Sequence, residues 1–428
     1  MLIPANLLTG KKILLGITGS IAAYKSLELL RLYIKAGADV HVVMSPSAKK
    51  FIAPLSFEAL SRNKVLDDTN ESWAGDGFNH IQLSQSSDIM VIAPTSANTI
   101  AKLANGIADT ILTQCALAYS GIKLLAPSAN TAMIANPMIQ ASMKMLAIAN
   151  YEIVSTQTKE LACQTTGDGA MAEPIEIFWN TARILLKDKF WSDRRVIVTG
   201  GGTIEKLDDV RTISNASSGK MASALASALF CRGADVNLIT TRFENDLPQG
   251  IHIIEVESSE EMREYLVDSI RVAKKGKLSK PSLIHDEPIG LIQKEPYLFM
   301  AAAVSDYIPM YPQEGKLKKE MLGESWNIAM KQNIDLLSSI NKEGLKTVAF
   351  KAETDTATAT ANATKLLTAK GVDAVCLNII DDNNPFGGDT NQIDFITKGA
   401  TSKLPSSDKL TLAFEVLQQA QLLQKEVN

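Results

Sequence analysis

The fold of this chain is determined by the stretch KKILLGITGSIAAYKSLELLRLYIKAGADVHVVM, residues 11–44. An apolar run is followed by the small-residue turn Thr18-Gly19-Ser20, then by a segment with helical periodicity and a second apolar run. Residues 194–240 repeat this plan, and both predicted helices end in the tetrapeptide Gly-Ala-Asp-Val, where glycine is the expected helix stop. Two such βαβ units predict an α/β protein with two doubly wound, Rossmann-like domains and mainly parallel sheets.

Five further apolar runs extend the two predicted sheets. They are DIMVIAP at 88–94 and KLLAP at 123–127 in the first domain, and PYLFMAAAV at 296–304, KTVAF at 346–350 and DAVCLNI at 373–379 in the second. A predicted helix at 175–190 closes the first domain. We therefore place the domains at residues 1–190 and 191–428, with Trp191-Ser192-Asp193 as a hinge. Residues 271–295 are rich in lysine and interrupted by proline, which indicates a surface excursion.

Composition excludes several classes of protein. The chain has 428 residues, a formal net charge of −4 and a pI near 5.8, so neither a nucleic-acid partner nor an anionic membrane is indicated. The sequence shows no signal peptide and no apolar run of the roughly 18 residues that a membrane helix needs. Its four cysteines are widely spaced: Cys115, Cys163, Cys231 and Cys376. We therefore expect a cytoplasmic protein with reduced thiols.

Small and hydroxyl-bearing residues follow three strands predicted in the first domain. Gly19 and Ser20 follow the first strand, Ser45 and Ser47 the second, and residues 94–99 (PTSANT) end the third. Glycine lets the backbone approach a phosphate, and the helix start that follows offers free N–H groups. The GxGxxG spacing and the ribose-binding acid of an NAD site are both missing. The pattern favours a phosphate or the ribityl chain of a flavin; the alternative is a strand–turn–helix unit without a nucleotide.

Four motifs of the first domain occur together in one known family. They are GITGSIAAYK at 16–25, Asn79-His80-Ile81 before a predicted strand, APTSANTIAKLANGIADTILT at 93–113 and LAPSANTAM at 125–133. Over residues 1–175 the chain resembles the FMN-binding cysteine decarboxylases, which implies a flavodoxin-like flavoprotein domain. Carried over by position, the FMN contacts are Gly19, Ser20, Ile21, Ser45, Ser47, Ser96, Ala97, Asn98, Thr99 and Ser128.

This resemblance also assigns three catalytic residues. His80 is implied to be the acid–base residue, Asn130 to hydrogen-bond the substrate carboxylate, and Cys163 to donate a proton from a mobile flap. From the residues alone, alternatives stay open: a loop residue for His80, a helix cap for Asn130 and an inert thiol for Cys163. The other histidines are predicted to be structural or solvated: His41, His252 and His285. Departures from the family are Gln82, Ser128-Ala129, Gln164-Thr165 and Ala170, of which the last two fall in the flap.

The segment VTGGGTIEKLDDVRTISNASSGKM at 198–221 opens the second domain. It lacks GxxxxGK[ST], so a P-loop nucleotide site is excluded. Two parts of it, residues 200–203 and 217–220, are able to present backbone amides to an anion. From composition alone, a glycine- and serine-rich connector remains the alternative.

Five motifs of the second domain resemble the ligase half of the bifunctional bacterial enzyme of coenzyme A synthesis. They are residues 211–221, AAVSDY at 302–307, KLKK at 316–319, FKAET at 350–354 and FGGDTN at 386–391. The resemblance, over residues 194–398, implies CTP with Mg²⁺ and catalytic roles for Arg211, Asn215 and Lys316. Without it, the lysines at 316–319 are equally a charged helix face. The implied CTP contacts are Met300, Ala301, Ala302, Asp306, Lys316, Asn333, Ile334, Asp335, Leu336, Leu337, Phe350, Lys365 and Lys370.

Some positions of the second domain depart from the family pattern. Ile334 replaces a usual proline, and Ala349 and Lys351 alter the motif around Phe350, which leaves the selectivity for the nucleotide base open. Lys365 follows a helix that is longer than the family's. No metal-ligating residue is assigned.

Together the resemblances imply a bifunctional enzyme. It would join 4′-phosphopantothenate to L-cysteine through an acyl-cytidylate, releasing CMP and pyrophosphate, and then decarboxylate 4′-phosphopantothenoylcysteine to 4′-phosphopantetheine with FMN. The family implies a homo-oligomer with trimeric flavin domains and dimeric ligase domains, a dodecamer being one compatible assembly. Two other functions stay open: a pair of NAD-dependent reductase domains and a flavin-binding regulatory subunit. Flavin absorbance tests the first alternative, and turnover of the three substrates tests the second.

Overall fold

The computed structural model of the chain describes residues 3–74, 78–160, 164, 166–279, 289–381, 384–385 and 387–424. These residues form two compact units. The N-terminal unit contains residues 3–187, and the C-terminal unit contains residues 188–277 and 291–424. No helix in the described ranges is both long enough and apolar enough to cross a membrane.

The N-terminal unit alternates strands and helices. Its strands are β1 (Lys12–Ile17), β2 (Asp39–Met44), β3 (Val65–Leu66), β4 (Ile89–Thr95), β5 (Lys123–Pro127), β6 (Tyr151–Ile153), β7 (Gln157–Glu160) and β8 (Thr166–Ala170). Its α-helices are α1 (Lys25–Lys35), α2 (Pro54–Ser61), α3 (His80–Ser86), α4 (Ala97–Ala104), α5 (Ile111–Ala118), α6 (Thr131–Ile134), α7 (Pro137–Ile148) and α8 (Pro174–Leu186). Short 3-10 turns lie at Ile21–Tyr24 and Ala48–Lys50.

Six of these strands form one parallel sheet in the order β3-β2-β1-β4-β5-β6. Without the two-residue edge strand β3, the other five follow the flavodoxin order, which reverses direction at β1. Ile13 in β1 pairs with Val40 on one side and Ile89 on the other. β4 is buried along its whole length, as expected for a parallel strand with both faces covered by helices. The doubly wound, flavodoxin-like fold predicted for this domain is confirmed.

Two local predictions in this unit need correction. The helix predicted directly after β1 begins as a 3-10 turn, because Ser20 Oγ accepts the N–H of Ala22 at 3.2 Å and caps it there. His80, predicted to precede a strand, is the first residue of α3. The helix begins at His80 because the side chain of Asn79 accepts the N–H of Gln82 at 2.9 Å.

The C-terminal unit has the same alternation with several small additions. Its strands are β9 (Arg195–Gly200), β10 (Ile204–Lys206), β11 (Thr212–Ser214), β12 (Asp235–Thr240), β13 (His252–Glu255), β14 (Lys277–Leu278), β15 (Leu291–Ile292), β16 (Tyr297–Met300), β17 (Tyr307–Pro309), β18 (Met330–Gln332), β19 (Lys346–Glu353), β20 (Ala374–Ile379), β21 (Thr390–Ile396) and β22 (Thr401–Asp408). Its helices are α9 (Lys220–Cys231), α10 (Ser259–Ala273), α11 (Lys319–Leu322), α12 (Leu336–Ser339), α13 (Ala359–Lys370) and α14 (Lys409–Leu422).

Eight of these strands form the central sheet in the order β13-β12-β9-β16-β19-β20-β21-β22. The first six are parallel, and β21 and β22 are added antiparallel at the edge. The strand predicted at 296–304 ends at Met300, and the N–H of Ala303 then donates to the Gly201 carbonyl at 2.8 Å. The prediction of a second doubly wound, mainly parallel domain is confirmed.

The segment Trp191-Ser192-Asp193, predicted as a hinge, is instead an ordered part of the C-terminal unit. Trp191 is fully buried, and its ring lies 5.0 Å from that of Tyr297. Asp188 Oδ1 accepts the N–H groups of Phe190 and Trp191 at 2.8 and 3.1 Å. Burial of the indole fixes this segment in the core, which the polar residues Ser192 and Asp193 that follow Trp191 do not reveal in the sequence.

Candidate active sites

The carboxyl ends of the N-terminal sheet surround a cavity of about 820 Å³. Its wall comes from the turns after β1, β2, β4 and β5 and from the β7–β8 hairpin. Ten lining residues are the predicted FMN contacts: Gly19, Ser20, Ile21, Ser45, Ser47, Ser96, Ala97, Asn98, Thr99 and Ser128. Parallel strands end at the same edge of a sheet, so the fold brings together segments as distant as Ser20 and Ser128.

Hydroxyl groups in the cavity wall are held by hydrogen bonds. Ser20 Oγ and Ser128 Oγ lie 3.0 Å apart, as do Ser96 Oγ and Thr99 Oγ1. Ser96 is also the N-cap of α4, since its Oγ accepts the N–H of Thr99 at 3.3 Å. The wall therefore presents preorganised polar groups to a ligand.

Gly19 allows two strand ends to pack closely. A Cβ at this position would lie 2.6 Å from Ser47 Cβ and 3.2 Å from the Ser47 carbonyl carbon. Side chains do not approach so closely, and part of the contact is with backbone. Only glycine therefore lets the turn after β1 lie against the turn after β2.

Two lysines of the cavity wall share one carboxylate. Lys25 Nζ lies 3.0 Å from Glu173 Oε1, and Lys159 in β7 donates to the same oxygen. Burial opposes ionisation of Glu173, but hydrogen bonds from Lys159 and Lys25 hold its pKa below the ordinary value. No sequence pattern predicts that these three residues meet. Lys25 lies in the first motif, but nothing in the sequence links it to the other two residues.

His80 is not among the described residues that line this cavity. Its Nδ1 lies 2.6 Å from Glu71 Oε1, which also accepts the His80 backbone N–H at 3.1 Å. Burial opposes ionisation of Glu71, but the bonds from His80 lower the pKa of the carboxyl group. If Nδ1 carries the proton and donates it to this carboxylate, Nε2 is the ring nitrogen that can exchange a proton with a substrate.

Asn130 is both a helix cap and a wall residue. Its Oδ1 accepts the N–H of Ala132 at 2.9 Å at the start of α6, and the residue lines the cavity. The β7–β8 hairpin packs over this segment, because the N–H of Ala129 donates to the Gly169 carbonyl at 3.1 Å. Cys163, predicted in the same flap, lies outside the described residues, as does His285.

In the C-terminal unit, six of the thirteen predicted CTP contacts line one or the other of two cavities. A cavity of about 180 Å³ is lined by three of them: Ala301, Ala302 and Phe350. A larger one, of about 620 Å³, is lined by three others: Asn333, Ile334 and Leu336. The rest line neither of the two: Met300, Asp306, Lys316, Asp335, Leu337, Lys365 and Lys370. The structure therefore does not bring the whole predicted set to one cavity.

Some of these remaining residues have defined partners. Lys370 Nζ lies 2.7 Å from Asp335 Oδ2, and although burial opposes ionisation of Asp335, this bond lowers its pKa. The N–H of Asn333 donates to the Asp306 carbonyl at 2.8 Å. Lys365 is exposed on α13 and contacts no other predicted residue through a hydrogen bond or ion pair in the described ranges.

The smaller cavity has a basic wall, only part of which lies in the motifs of the sequence. Lys220, Lys351 and Lys409 line it beside residues 217–219. Lys220 Nζ lies 2.6 Å from Asp389 Oδ1, and this hydrogen bond raises the pKa of the lysine, whereas burial lowers that of Lys409. Three ammonium groups at one cavity suit a polyanion. Lys409 was missed because it begins α14 and belongs to no motif.

Arg211 and Asn215 flank β11 and contact different segments. Arg211 Nη2 donates to the Leu317 carbonyl at 2.9 Å. Asn215 Nδ2 lies 3.2 Å from each of the carbonyl oxygens of residues 303 and 304. Lys316, next to Leu317, is exposed, and within the described residues its side chain has no hydrogen bond or ion pair.

Comparison with known proteins gives consistent matches over nearly the whole chain. Residues 3–185 match the flavoprotein family, and residues 191–275 and 285–423 match the DNA/pantothenate metabolism flavoprotein C-terminal domain. The coenzyme A biosynthesis bifunctional protein CoaBC of Bacillus subtilis is 32% identical over 431 residues, which cover 98% of this chain and 99% of that protein. The protein of that name from Vibrio cholerae is 34% identical over 415 residues, with coverage of 96% and 98%. A solved CoaBC C-terminal domain is 24% identical, covers 55% of this chain and 97% of that one, and has a TM-score of 0.42.

Proposed function

The chain belongs to the family of coenzyme A biosynthesis bifunctional proteins, and on this basis we propose that it catalyses two reactions at two sites. The C-terminal unit joins 4′-phosphopantothenate to L-cysteine, converting CTP to CMP and pyrophosphate. The N-terminal unit decarboxylates the product, 4′-phosphopantothenoylcysteine, to 4′-phosphopantetheine and CO₂. The observation that carries the proposal is the position of all ten predicted flavin contacts around one cavity.

The residues of this cavity fit FMN. Its volume of about 820 Å³ lies within the range of small-molecule sites. Hydroxyl groups of Ser20 and Ser96, with the N–H groups that begin α4, would hold the phosphate and the ribityl chain. When bound, the flavin supplies a two-electron oxidation and reduction, which gives a carboxylate beside a saturated carbon the electron sink that it otherwise lacks.

Other residues of the N-terminal cavity would handle the substrate. The Asn130 amide is oriented by its bond to Ala132 and would hydrogen-bond the substrate carboxylate. Lys25 and Lys159 would attract the anionic groups of the substrate. Cys163 is proposed as the proton donor for the final step, in agreement with its place between β7 and β8 in the sequence.

We propose that His80 acts in the cavity of a neighbouring copy, in a homo-oligomer of flavin domains. Catalysis requires His80 within hydrogen-bond reach of the substrate, and His80 does not line the described cavity of its own chain. Chains carrying His80→Asn and chains carrying Asn130→Asp should each be inactive alone. Co-expressed, they should regain part of the decarboxylation, because some mixed sites combine both intact residues. Mixed oligomers that remain inactive would contradict the shared site.

Glu71→Gln is expected to slow decarboxylation about 10- to 100-fold, because Glu71 orients the His80 ring and selects its tautomer. Nitrogen-15 NMR of labelled histidine reports the tautomer directly, and with only four histidines in the chain the His80→Asn variant assigns the signal. We expect Nδ1–H in the wild type and a mixture in the variant. Glu28→Gln, at an exposed glutamate of α1, is the matched control. An unchanged tautomer in Glu71→Gln would refute the orienting role.

The basic cavity of the C-terminal unit is proposed to hold the triphosphate of CTP. Lys220, Lys351 and Lys409 would neutralise its charge, with Mg²⁺ accompanying the nucleotide. Lys316 and Arg211 would stabilise the transfer of the cytidylyl group to the carboxylate, and Asn215 would hold the acyl-cytidylate until cysteine attacks. Dimeric ligase domains are part of this proposal by resemblance.

An anaerobic incubation of the purified chain with 4′-phosphopantothenate, L-cysteine and CTP tests both activities. We expect CMP, pyrophosphate and CO₂ in equal amounts, 4′-phosphopantetheine as the organic product, and flavin absorbance in the protein. Formation of CMP without CO₂ would support the ligase activity and contradict the decarboxylase activity. Neither product, from a protein that carries no flavin, would contradict the proposed function and favour the NAD-dependent alternative.

A further inference from the structure

A buried carboxylate connects the two loops that carry Arg211 and Lys316. The Asp208 side chain is fully buried, with 0% of its surface exposed. Its Oδ1 accepts the N–H groups of Val210 at 2.9 Å and Arg211 at 2.6 Å. Its Oδ2 accepts the N–H of Leu317 at 3.1 Å, 109 positions away. One side chain therefore satisfies three backbone donors from two segments.

Other hydrogen bonds join the same two loops. Arg211 Nη2 donates to the Leu317 carbonyl at 2.9 Å, and the Gly315 N–H donates to Asp209 Oδ2 at 2.8 Å. The backbone is thus held at Gly315 and at Leu317, on either side of Lys316. The Lys316 side chain is left exposed between these two anchors.

We infer that Asp208 is a positioning residue of the proposed ligase site, which holds the Lys316 loop against the Arg211 loop. The inference rests on the proposed function. A carboxylate is suited to this role because both of its oxygens only accept, whereas an amide offers one acceptor and one donor group. Burial opposes the charge, but the three backbone N–H groups and Arg211 hold the pKa of Asp208 below its ordinary value.

Because the two carboxylate oxygens of Asp208 contact different loops, one variant can remove the contact with Leu317 and keep the contacts with Val210 and Arg211. In Asp208→Asn the remaining oxygen still accepts the N–H groups of Val210 and Arg211, while the amide nitrogen faces the N–H of Leu317. We expect hydrogen exchange at Leu317 to accelerate without change at Val210 and Arg211. For pyrophosphate release from CTP and 4′-phosphopantothenate, kcat should fall about 10- to 100-fold and the KM for CTP should change about twofold at most.

Two controls accompany this variant. Decarboxylation of added 4′-phosphopantothenoylcysteine by the same preparation should be unchanged, because it uses the other unit. Asp268→Asn removes an exposed carboxylate of α10 and should leave both activities as in the wild type. If Asp208→Asn does not fold, Asp209→Ala provides the test: Asp209 is exposed, and loss of its bond to Gly315 should lower kcat about 3- to 10-fold.

Two results would overturn the inference: a wild-type kcat in a variant whose Leu317 or Gly315 amide exchanges faster, or a reduced kcat with both amides still protected. A wild-type chain that releases no pyrophosphate is a different outcome, which contradicts the proposed function itself. An active wild type, together with a folded Asp208→Asn variant that is slow and whose Leu317 amide exchanges faster, supports the positioning role.

Discussion

Lys316→Gln is expected to abolish pyrophosphate release from 4′-phosphopantothenate and CTP, even without cysteine. The Lys316 ammonium is exposed and has no partner in the described part of the chain, while the backbone on both sides of it is anchored. Its charge is needed when negative charge develops between the carboxylate and the α-phosphate. Glutamine keeps similar bulk without the charge, so we expect a loss of about 10²- to 10³-fold or more in kcat.

Asn215→Asp is expected to affect the following step. In the wild type the Asn215 amide nitrogen donates to the carbonyl oxygens of residues 303 and 304, whereas the carboxylate of the variant would repel these oxygens. Pyrophosphate should still be released, and the acyl-cytidylate should accumulate and be detectable by mass spectrometry, with little amide formed. The pair of variants therefore separates the two half-reactions.

Lys398→Gln is the matched control for Lys316→Gln, because Lys398 is an exposed lysine in the turn between β21 and β22. It should retain both half-reactions. If Lys316→Gln instead formed the acyl-cytidylate at the wild-type rate, Lys316 would be a solvated surface charge, which is the alternative that the sequence alone allows.

Gly19→Ala is expected to deplete the purified protein of flavin and, with it, of decarboxylase activity. The added Cβ would lie 2.6 Å from Ser47 Cβ, so the turns after β1 and β2 must move apart. Overpacking of this kind costs about 1–3 kcal/mol, which corresponds to flavin binding about 5- to 150-fold weaker. The absorbance ratio of flavin to protein measures the loss. Excess FMN should restore part of the activity, since the catalytic residues are intact.

Gly10→Ala distinguishes this effect from general destabilisation. Gly10 has a φ of +77°, so alanine is strained there by about 1–2 kcal/mol, but no atom lies within 4 Å of the added Cβ. This variant should unfold at a lower temperature and still carry flavin. If both variants lost flavin equally, the contact between Gly19 and Ser47 would have no specific role.

Local sequence patterns were sufficient to predict the inner parallel strands of the two sheets and the hydroxyl-bearing strand ends around the N-terminal cavity. The apolar strands and the residues at their carboxyl ends are adjacent in sequence, and parallel strands place those ends at one edge. Ser20, Ser47 and Ser96 therefore line one cavity. The same reasoning did not identify the pair of Glu71 and His80, because it depends on the path of the loop before α3.

The C-terminal unit was less predictable. Its residues were assigned by motif, and motifs do not specify which loops share a cavity. The structure places six of the thirteen predicted CTP contacts in two separate cavities and adds Lys409 from the last helix. Trp191 shows the same limitation, since its place in the core depends on Tyr297, a partner more than a hundred positions away.

Short-range periodicity and contiguous motifs were enough to predict the two doubly wound domains, the polar strand ends that line the N-terminal cavity, and the family. Which charged groups meet depends instead on the three-dimensional fold. Lys25 and Lys159 converge on Glu173, Lys220 pairs with Asp389, and one carboxylate holds the loops of Arg211 and Lys316. The physical reason is that ion pairs and buried hydrogen bonds act over a few ångströms between segments whose proximity is set by the order of strands in the sheet.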